Sequence, residues 1–89
     1  MKIEIYTTTT CWHCDRAKEL LKRKNLKYEE IDVSNDHQLR MQMVERSNGR
    51  MTVPQIFLND NYLSDSDGLY ELERSGKLDS IIGPTKDEN

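Results

Sequence analysis

The sequence predicts a single α/β domain, a four-stranded mixed sheet flanked by helices in the order β-α-β-α-β-β-α. Three observations carry this. A chain of 89 residues fits one domain within the usual range of ~50–200 residues and buries roughly 60–65% of its unfolded surface. Although hydrophobic residues make up only 35% and charged residues 33%, the apolar ones gather into runs that switch between β-prone stretches and helical spacing. Finally, Asn59-Asp60-Asn61 leaves room for a tight turn only, which forces antiparallel pairing, whereas each strand-helix-strand unit imposes a right-handed crossover and parallel pairing. The expected domain is residues 1–83. Residues 84–89 follow the Gly83-Pro84 break with little to bury and are expected to fray.

Residues 2–6 carry Ile3, Ile5 and Tyr6 in a short β-prone run, and the threonines 7–10 that follow are too β-branched to begin a helix comfortably, so strand then loop is expected. From residue 14 to 24, Cys14, Ala17, Leu20 and Leu21 recur at helical spacing, with Asp15, Lys18, Glu19, Lys22 and Arg23 opposite them. That is an amphipathic helix whose basic last turn suits its dipole, with Asn25 as terminator. Tyr28, Ile31 and Val33 mark a second strand, and Ser34-Asn35-Asp36 supplies caps for a second helix running to about Arg46. Asn48-Gly49 tolerates the left-handed exit. Residues 52–58 read as a third strand with Pro54 at its entrance, joined by the 59–61 turn to Tyr62-Leu63. Residues 64–67 are rich in capping side chains. Leu69 and Leu72, with acidic residues early and Arg74 late, give a third helix closed by Gly76, after which Leu78, Ile81 and Ile82 add a final turn.

The balance of 13 Lys+Arg against 16 Asp+Glu gives a net charge of −3, which argues against a general nucleic-acid binder, since that needs a basic face to neutralise phosphates. No apolar run approaches the ~18–20 residues of a membrane span, and Met1 leads directly into strand-like sequence, so the expectation is a soluble, cytoplasmic monomer. The two cysteines, Cys11 and Cys14, would close a loop worth only about 2 kcal/mol on the chain-entropy model, a poor structural staple. A redox or metal role has to be weighed instead.

Residues three apart on a helical turn share a face with Cβ atoms ~5–6 Å apart, within adjustment of disulfide geometry. Cys11 falls where the threonine loop becomes the first turn, where unpaired amides and the positive dipole end favour a thiolate. It is the expected nucleophile. Cys14, one turn in and less accessible, is the expected resolving thiol. The competing readings are half of a zinc site or two merely buried small residues. Structural zinc wants four Cys or His ligands, and the placement of His13 and His37 does not complete a tetrahedron, so no metal site is expected.

The residues around this pair resemble the glutaredoxins, specifically the small bacterial dithiol type. Glu4-Ile5-Tyr6-Thr7, then Thr10-Cys11-x-x-Cys14-x-Arg16-Ala17-Lys18-x-Leu20-Leu21, is similar to their first strand and active-site helix. Thr52-Val53-Pro54-Gln55-Ile56-Phe57, preceded by Arg46-Ser47 and Gly49-Arg50, resembles the loop and strand opposite, and Ser66-Asp67 with Leu69-Tyr70 the start of their last helix. The likeness runs from about residue 2 to 82. It implies a thioredoxin-like fold and reduction of protein disulfides and glutathione mixed disulfides, with glutathione as reductant and disulfide-containing or glutathionylated proteins, ribonucleotide reductase among them, as partners. Pro54 would be a cis proline facing Cys11, although an ordinary edge-strand proline fits the residues equally. Thr52, Val53 and Pro54 would flank the bound glutathione, with Val53 offering its backbone N–H and C=O to the cysteinyl unit. Ser66 and Asp67 at a helix start would take the γ-glutamyl end, the amides its carboxylate and Asp67 its ammonium; simple N-capping is the plainer reading, and both can hold.

Several positions depart from the family pattern. Proline and tyrosine usually stand between the cysteines, where this chain has Trp12 and His13. Next to a reactive thiol, Trp12 is expected to be a partly exposed contact surface. His13, when cationic, would favour the thiolate at Cys11, or would be a solvated histidine with no such role. Thr8 replaces a frequent lysine. Arg40, on the second helix, is a candidate partner for the glycine carboxylate or a solvated arginine. The usual Gly-Gly before the last helix is Ser64-Asp65, and a following acidic position is Gly68, so Asp65 adds repulsion toward an anionic ligand. Two alternatives stay open: a hydrogen donor served by thioredoxin reductase, and a dimeric form in which two Cys11 thiolates and two glutathiones hold a [2Fe–2S] cluster.

Overall fold

The computed structural model describes residues 1–82, so the expected boundary at residue 83 and the tail at 84–89 lie outside the described residues. Eight elements follow in order: β1 (Ile3–Thr7), α1 (Trp12–Arg23), β2 (Glu29–Asp32), α2 (His37–Arg46), β3 (Gln55–Leu58), β4 (Asn61–Ser64), α3 (Ser66–Arg74) and α4 (Lys77–Ile82). The strands form one mixed sheet in the order β2-β1-β3-β4. β1 pairs in parallel with β2, with Tyr6 opposite Ile31, and antiparallel with β3, with Ile5 opposite Ile56. The β3–β4 hairpin turns through Asn59 and Asp60, both with positive φ (51° and 73°), the conformation that two-residue hairpin loops require and that Asn and Asp tolerate. The turn therefore ends one residue earlier than its composition indicates, and Asn61 opens β4.

Alternation along the central strands divides the core between the two sheet faces. Ile3, Ile5 and Ile56 pack with Ala17, Leu20 and Leu21 of α1, Leu69 of α3, and Leu78 and Ile82 of α4. On the other face Tyr6 and Phe57 pack with Val33 and Met43, the latter from α2. α2 buries Met43 alone and is held additionally by Arg46, whose guanidinium donates to Tyr6 Oη at 2.7 Å and to Glu4 Oε1 at 2.9 Å while lying 4.1 Å from the centre of the Phe57 ring. A carboxylate as buried as Glu4 needs such a partner.

The observed elements differ from the expected ones at their ends. β1 runs on to Thr7, because Thr7 continues the parallel ladder opposite Asp32 and its hydroxyl donates to Glu30 at 2.7 Å. β3 begins at Gln55 and not at residue 52: Pro54 has no amide for a ladder, and the Gln55 side chain donates to the Thr52 carbonyl and hydroxyl at 3.0 and 3.3 Å. α1 starts at Trp12, two residues before its apolar stripe, because Cys11 caps it. The extra turn after Gly76 is a separate helix, α4, set off by Gly76 at φ +79°.

Candidate active site

α1 and α3 both rise from the end of the sheet where the segment before β3 passes. At the first of these termini Cys11 has extended backbone (φ −143°, ψ 106°), and its Sγ accepts the amide hydrogen of Cys14 at 3.1 Å. This is N-cap geometry with sulfur in place of the usual oxygen. The same sulfur lies 4.0 Å from the Val53 carbonyl oxygen, and the Val53–Pro54 peptide bond is cis. Both cysteines are free thiols, Cys11 partly exposed and Cys14 buried. Burial, and then the hydrogen bond with Cys11, push the Cys14 thiol up to about 12, against weaker opposition from a backbone hydrogen bond at Thr8 and from the charge of Lys18. The pair is therefore asymmetric: one sulfur is accessible and the other keeps its proton.

A shallow groove of about 220 Å³ is lined by Thr52, Val53 and Pro54 and by Asp65, Ser66 and Asp67 at the start of α3; it adjoins Cys11 through Val53, whose carbonyl oxygen lies 4.0 Å from the cysteine sulfur. His13 lines it from α1, which places that side chain toward the groove. The N-cap of α3 is Asp65, whose carboxylate accepts the Gly68 amide at 2.8 Å. This corrects the expectation that Ser66-Asp67 does the capping: four consecutive residues with capping side chains compete there, and only the path of the chain out of β4 selects Asp65. Ser66 is instead the first helical residue, 3% exposed, with a hydroxyl that has no hydrogen-bond partner. Asp67 projects into solvent, 3.8 Å from the Arg16 guanidinium.

Trp12 is 67% exposed and stands edge-on to His13 at 4.9 Å. Arg16, one turn further, places its guanidinium 5.0 Å from the Trp12 ring and 4.4 Å from the Tyr70 ring, and Tyr70 Oη donates to the Arg16 carbonyl at 2.9 Å. These contacts tie the starts of α1 and α3 together. Sequence reasoning missed them, although the i, i+4 spacing of Trp12 and Arg16 pointed to half of the stack. Arg40 donates to the Met51 carbonyl at 3.2 Å and does not line the groove. A larger hollow of about 360 Å³, bordered by Leu20, Arg23 and Tyr70, does not include the Thr52-Val53-Pro54 segment. Among the described residues no three His, Cys, Asp or Glu side chains group as a metal site, and no helix is long and apolar enough to cross a membrane.

A mixed four-stranded sheet of this order, with a cysteine capping the first helix across from a cis proline, defines a thiol–disulfide exchange domain on the thioredoxin-like fold. The glutaredoxin family model matches residues 3–63. A probable glutaredoxin of Synechocystis is 43% identical over 81 residues, covering 91% of this chain and 92% of that one. Glutaredoxin 3 of Escherichia coli is 41% identical over 80 residues, covering 90% and 95%. The solution structure of a glutaredoxin from Brucella melitensis superposes with a TM-score of 0.80 at 47% identity, covering 91% of this chain and 87% of that one. The chain belongs to the glutaredoxin family, and with it to the thiol–disulfide oxidoreductases.

Proposed function

We propose that the protein is a glutathione-dependent dithiol–disulfide oxidoreductase acting on protein disulfides and glutathione mixed disulfides in a reducing compartment such as the cytoplasm. The observation that carries this reading is the Cys11 sulfur, partly exposed at the head of α1 and 4.0 Å from the carbonyl of Val53, a residue that borders the groove lined also by Ser66 and Asp67. The Cys11 thiolate attacks one sulfur of the substrate; a Cys11–substrate disulfide forms and the other sulfur leaves as a thiolate. Cys14 then attacks the Cys11 sulfur, releasing the second substrate thiol and closing a Cys11–Cys14 disulfide. Part of what holds the Cys14 proton is its hydrogen bond with Cys11, and that cause disappears once the Cys11 sulfur is bonded to substrate. One glutathione thiolate opens the internal disulfide and a second removes the first, so two glutathiones become one glutathione disulfide and two electrons pass to the substrate.

In this reading Val53 presents backbone N–H and C=O to the cysteinyl unit of glutathione, between Thr52 and Pro54. The γ-glutamyl carboxylate meets Ser66 and the α3 amides, and its ammonium meets Asp67. Trp12 and His13 form the lip that protein substrates touch. Arg40, engaged with the Met51 carbonyl, is assigned no part.

Reduction of hydroxyethyl disulfide coupled to NADPH through glutathione and glutathione reductase tests the proposal. Robust turnover is expected, with little when thioredoxin reductase replaces the glutathione system; the opposite pattern would identify a thioredoxin-reductase-served donor. A Cys14→Ser variant should keep deglutathionylation and lose protein-disulfide reduction. A single copy contributes only Cys11 as an accessible thiol, so a [2Fe–2S] cluster would need ligands from a second copy and from glutathione. A brown dimer after anaerobic purification would bring that reading forward.

A further inference from the structure

Asp65 lines the groove, and its carboxylate sits over the first turn of α3 because position 68 is glycine: a Cβ there would lie 2.9 Å from Ser64 Cβ and 3.1 Å from Asp65 Oδ1. Ser64, Asp65 and Gly68 thus form one packed unit in which the side chain absent at Gly68 makes room for the charge at Asp65. Glycine is a poorer helix former than alanine, so this unit holds the carboxylate in place at some expense to the helix. Of the amides of Ser66, Asp67 and Gly68, which a helix start leaves without a helical partner, that of Gly68 is already taken by the Asp65 carboxylate at 2.8 Å. The terminus that would ordinarily receive a ligand's carboxylate is therefore partly occupied by a carboxylate of the protein. Asp67 adds a second negative charge on the same side, offset in part by Arg16 at 3.8 Å, while His13 is the titratable group facing them across the groove. Ser66, which lines the groove beside Asp65, is buried and its hydroxyl has no hydrogen-bond partner among the described residues.

We propose that Asp65 makes the groove charge-selective, so that Cys11 prefers disulfides whose arm reaching α3 ends in an ammonium group over those whose arm ends in a carboxylate. The inference rests on the exchange at Cys11 proposed above and adds the substrate class. The reaction itself is unchanged: the disulfide takes two electrons and two protons to give two thiols, and Cys11 and Cys14 become a disulfide. The ammonium arm gains attraction from Asp65 and Asp67, and the carboxylate arm meets repulsion and fewer open amides.

The test uses the full chain, pre-reduced and freed of reductant, in single turnovers with three symmetric disulfides of matched length: 4-aminobutyryl-Cys-Gly, pentanoyl-Cys-Gly and glutaryl-Cys-Gly. These end in an ammonium, a methyl and a carboxylate. Thiol release is followed for wild type and Asp65→Asn, the latter keeping a good N-cap acceptor without the charge. The ammonium-to-carboxylate ratio of second-order rate constants is expected to fall roughly three- to tenfold in Asp65→Asn, and the wild-type ratio to shrink as salt is added. Comparing the two proteins cancels the intrinsic reactivities of the disulfides. An equal ratio in the two proteins overturns the proposal. Failure of wild type to reduce the methyl-ended disulfide overturns the Cys11 reading itself, and this inference with it.

Discussion

The first turns of α1 and α3 share a local geometry and differ in what they do. At each, an extended residue accepts the amide hydrogen three positions on: Cys11 Sγ from Cys14 at 3.1 Å, and Asp65 Oδ1 from Gly68 at 2.8 Å. At the next position Trp12 projects into solvent whereas Ser66 is buried, and one further on His13 and Asp67 both line the groove. At the third position Cys14 fills the space beneath α1, while Gly68 leaves that space to Asp65 and Ser64. A helix N-terminus thus supplies only a field and a set of amides. What each terminus presents at its surface depends on the atom that caps it and on the volume at the third position.

The comparison breaks most completely at Cys11. Cys11→Ser keeps a capping atom, and oxygen caps better than sulfur, so folding measured by chemical denaturation should be unchanged or slightly improved while disulfide reduction falls to the rate without enzyme. Retained reduction would show that the reactive sulfur lies elsewhere. Next in size, Gly68→Ala forces a Cβ against Ser64 Cβ and the Asp65 carboxylate, and should cost about 1–3 kcal/mol, as overpacking does. Urea unfolding checks this. A stabilised variant would mean that Asp65 moves aside without cost, which would remove the reason given for Gly68.

The smallest effect concerns the protonation of Cys14. Its thiol is held up to about 12 in the folded state, above its value in an unfolded chain, so the native protein keeps a proton that the unfolded chain has lost. The stability this contributes is fully present below the unfolded value and is lost as pH rises through the window up to the folded one. Between roughly pH 9 and 12 the reduced protein should lose stability somewhat more steeply than Cys14→Ala does. Equal slopes for the two proteins would show that burial does not hold the proton.

Much of this was legible in the residues themselves. The stripe Cys14, Ala17, Leu20 and Leu21 identified the buried face of α1, and the order of apolar runs led to the mixed sheet, because strand and helix periodicities are local properties of side-chain spacing. The cysteine pair and the Thr52-Val53-Pro54 segment, which meet where the Cys11 sulfur lies 4.0 Å from the Val53 carbonyl, were both visible in the residues. The capping residue of α3 was not legible, since Ser64, Asp65, Ser66 and Asp67 all offer a suitable side chain. The stack of Arg16 between Trp12 and Tyr70 and the Arg46 bonds to Glu4 and Tyr6 were equally hidden, joining as they do residues up to 54 positions apart in the chain.

By itself, then, the chain's order of residues determined which segments are helix or strand, which side chains each helix buries, and that two sulfurs stand one turn apart at the start of α1, because all of these follow from contacts within a few residues. Only the folded tertiary structure decided that Val53 comes to lie beside the Cys11 sulfur and that Asp65 borders the same groove. Those juxtapositions depend on how β1, β3 and the two helix starts are brought to one end of the sheet, and that is settled by packing across the core.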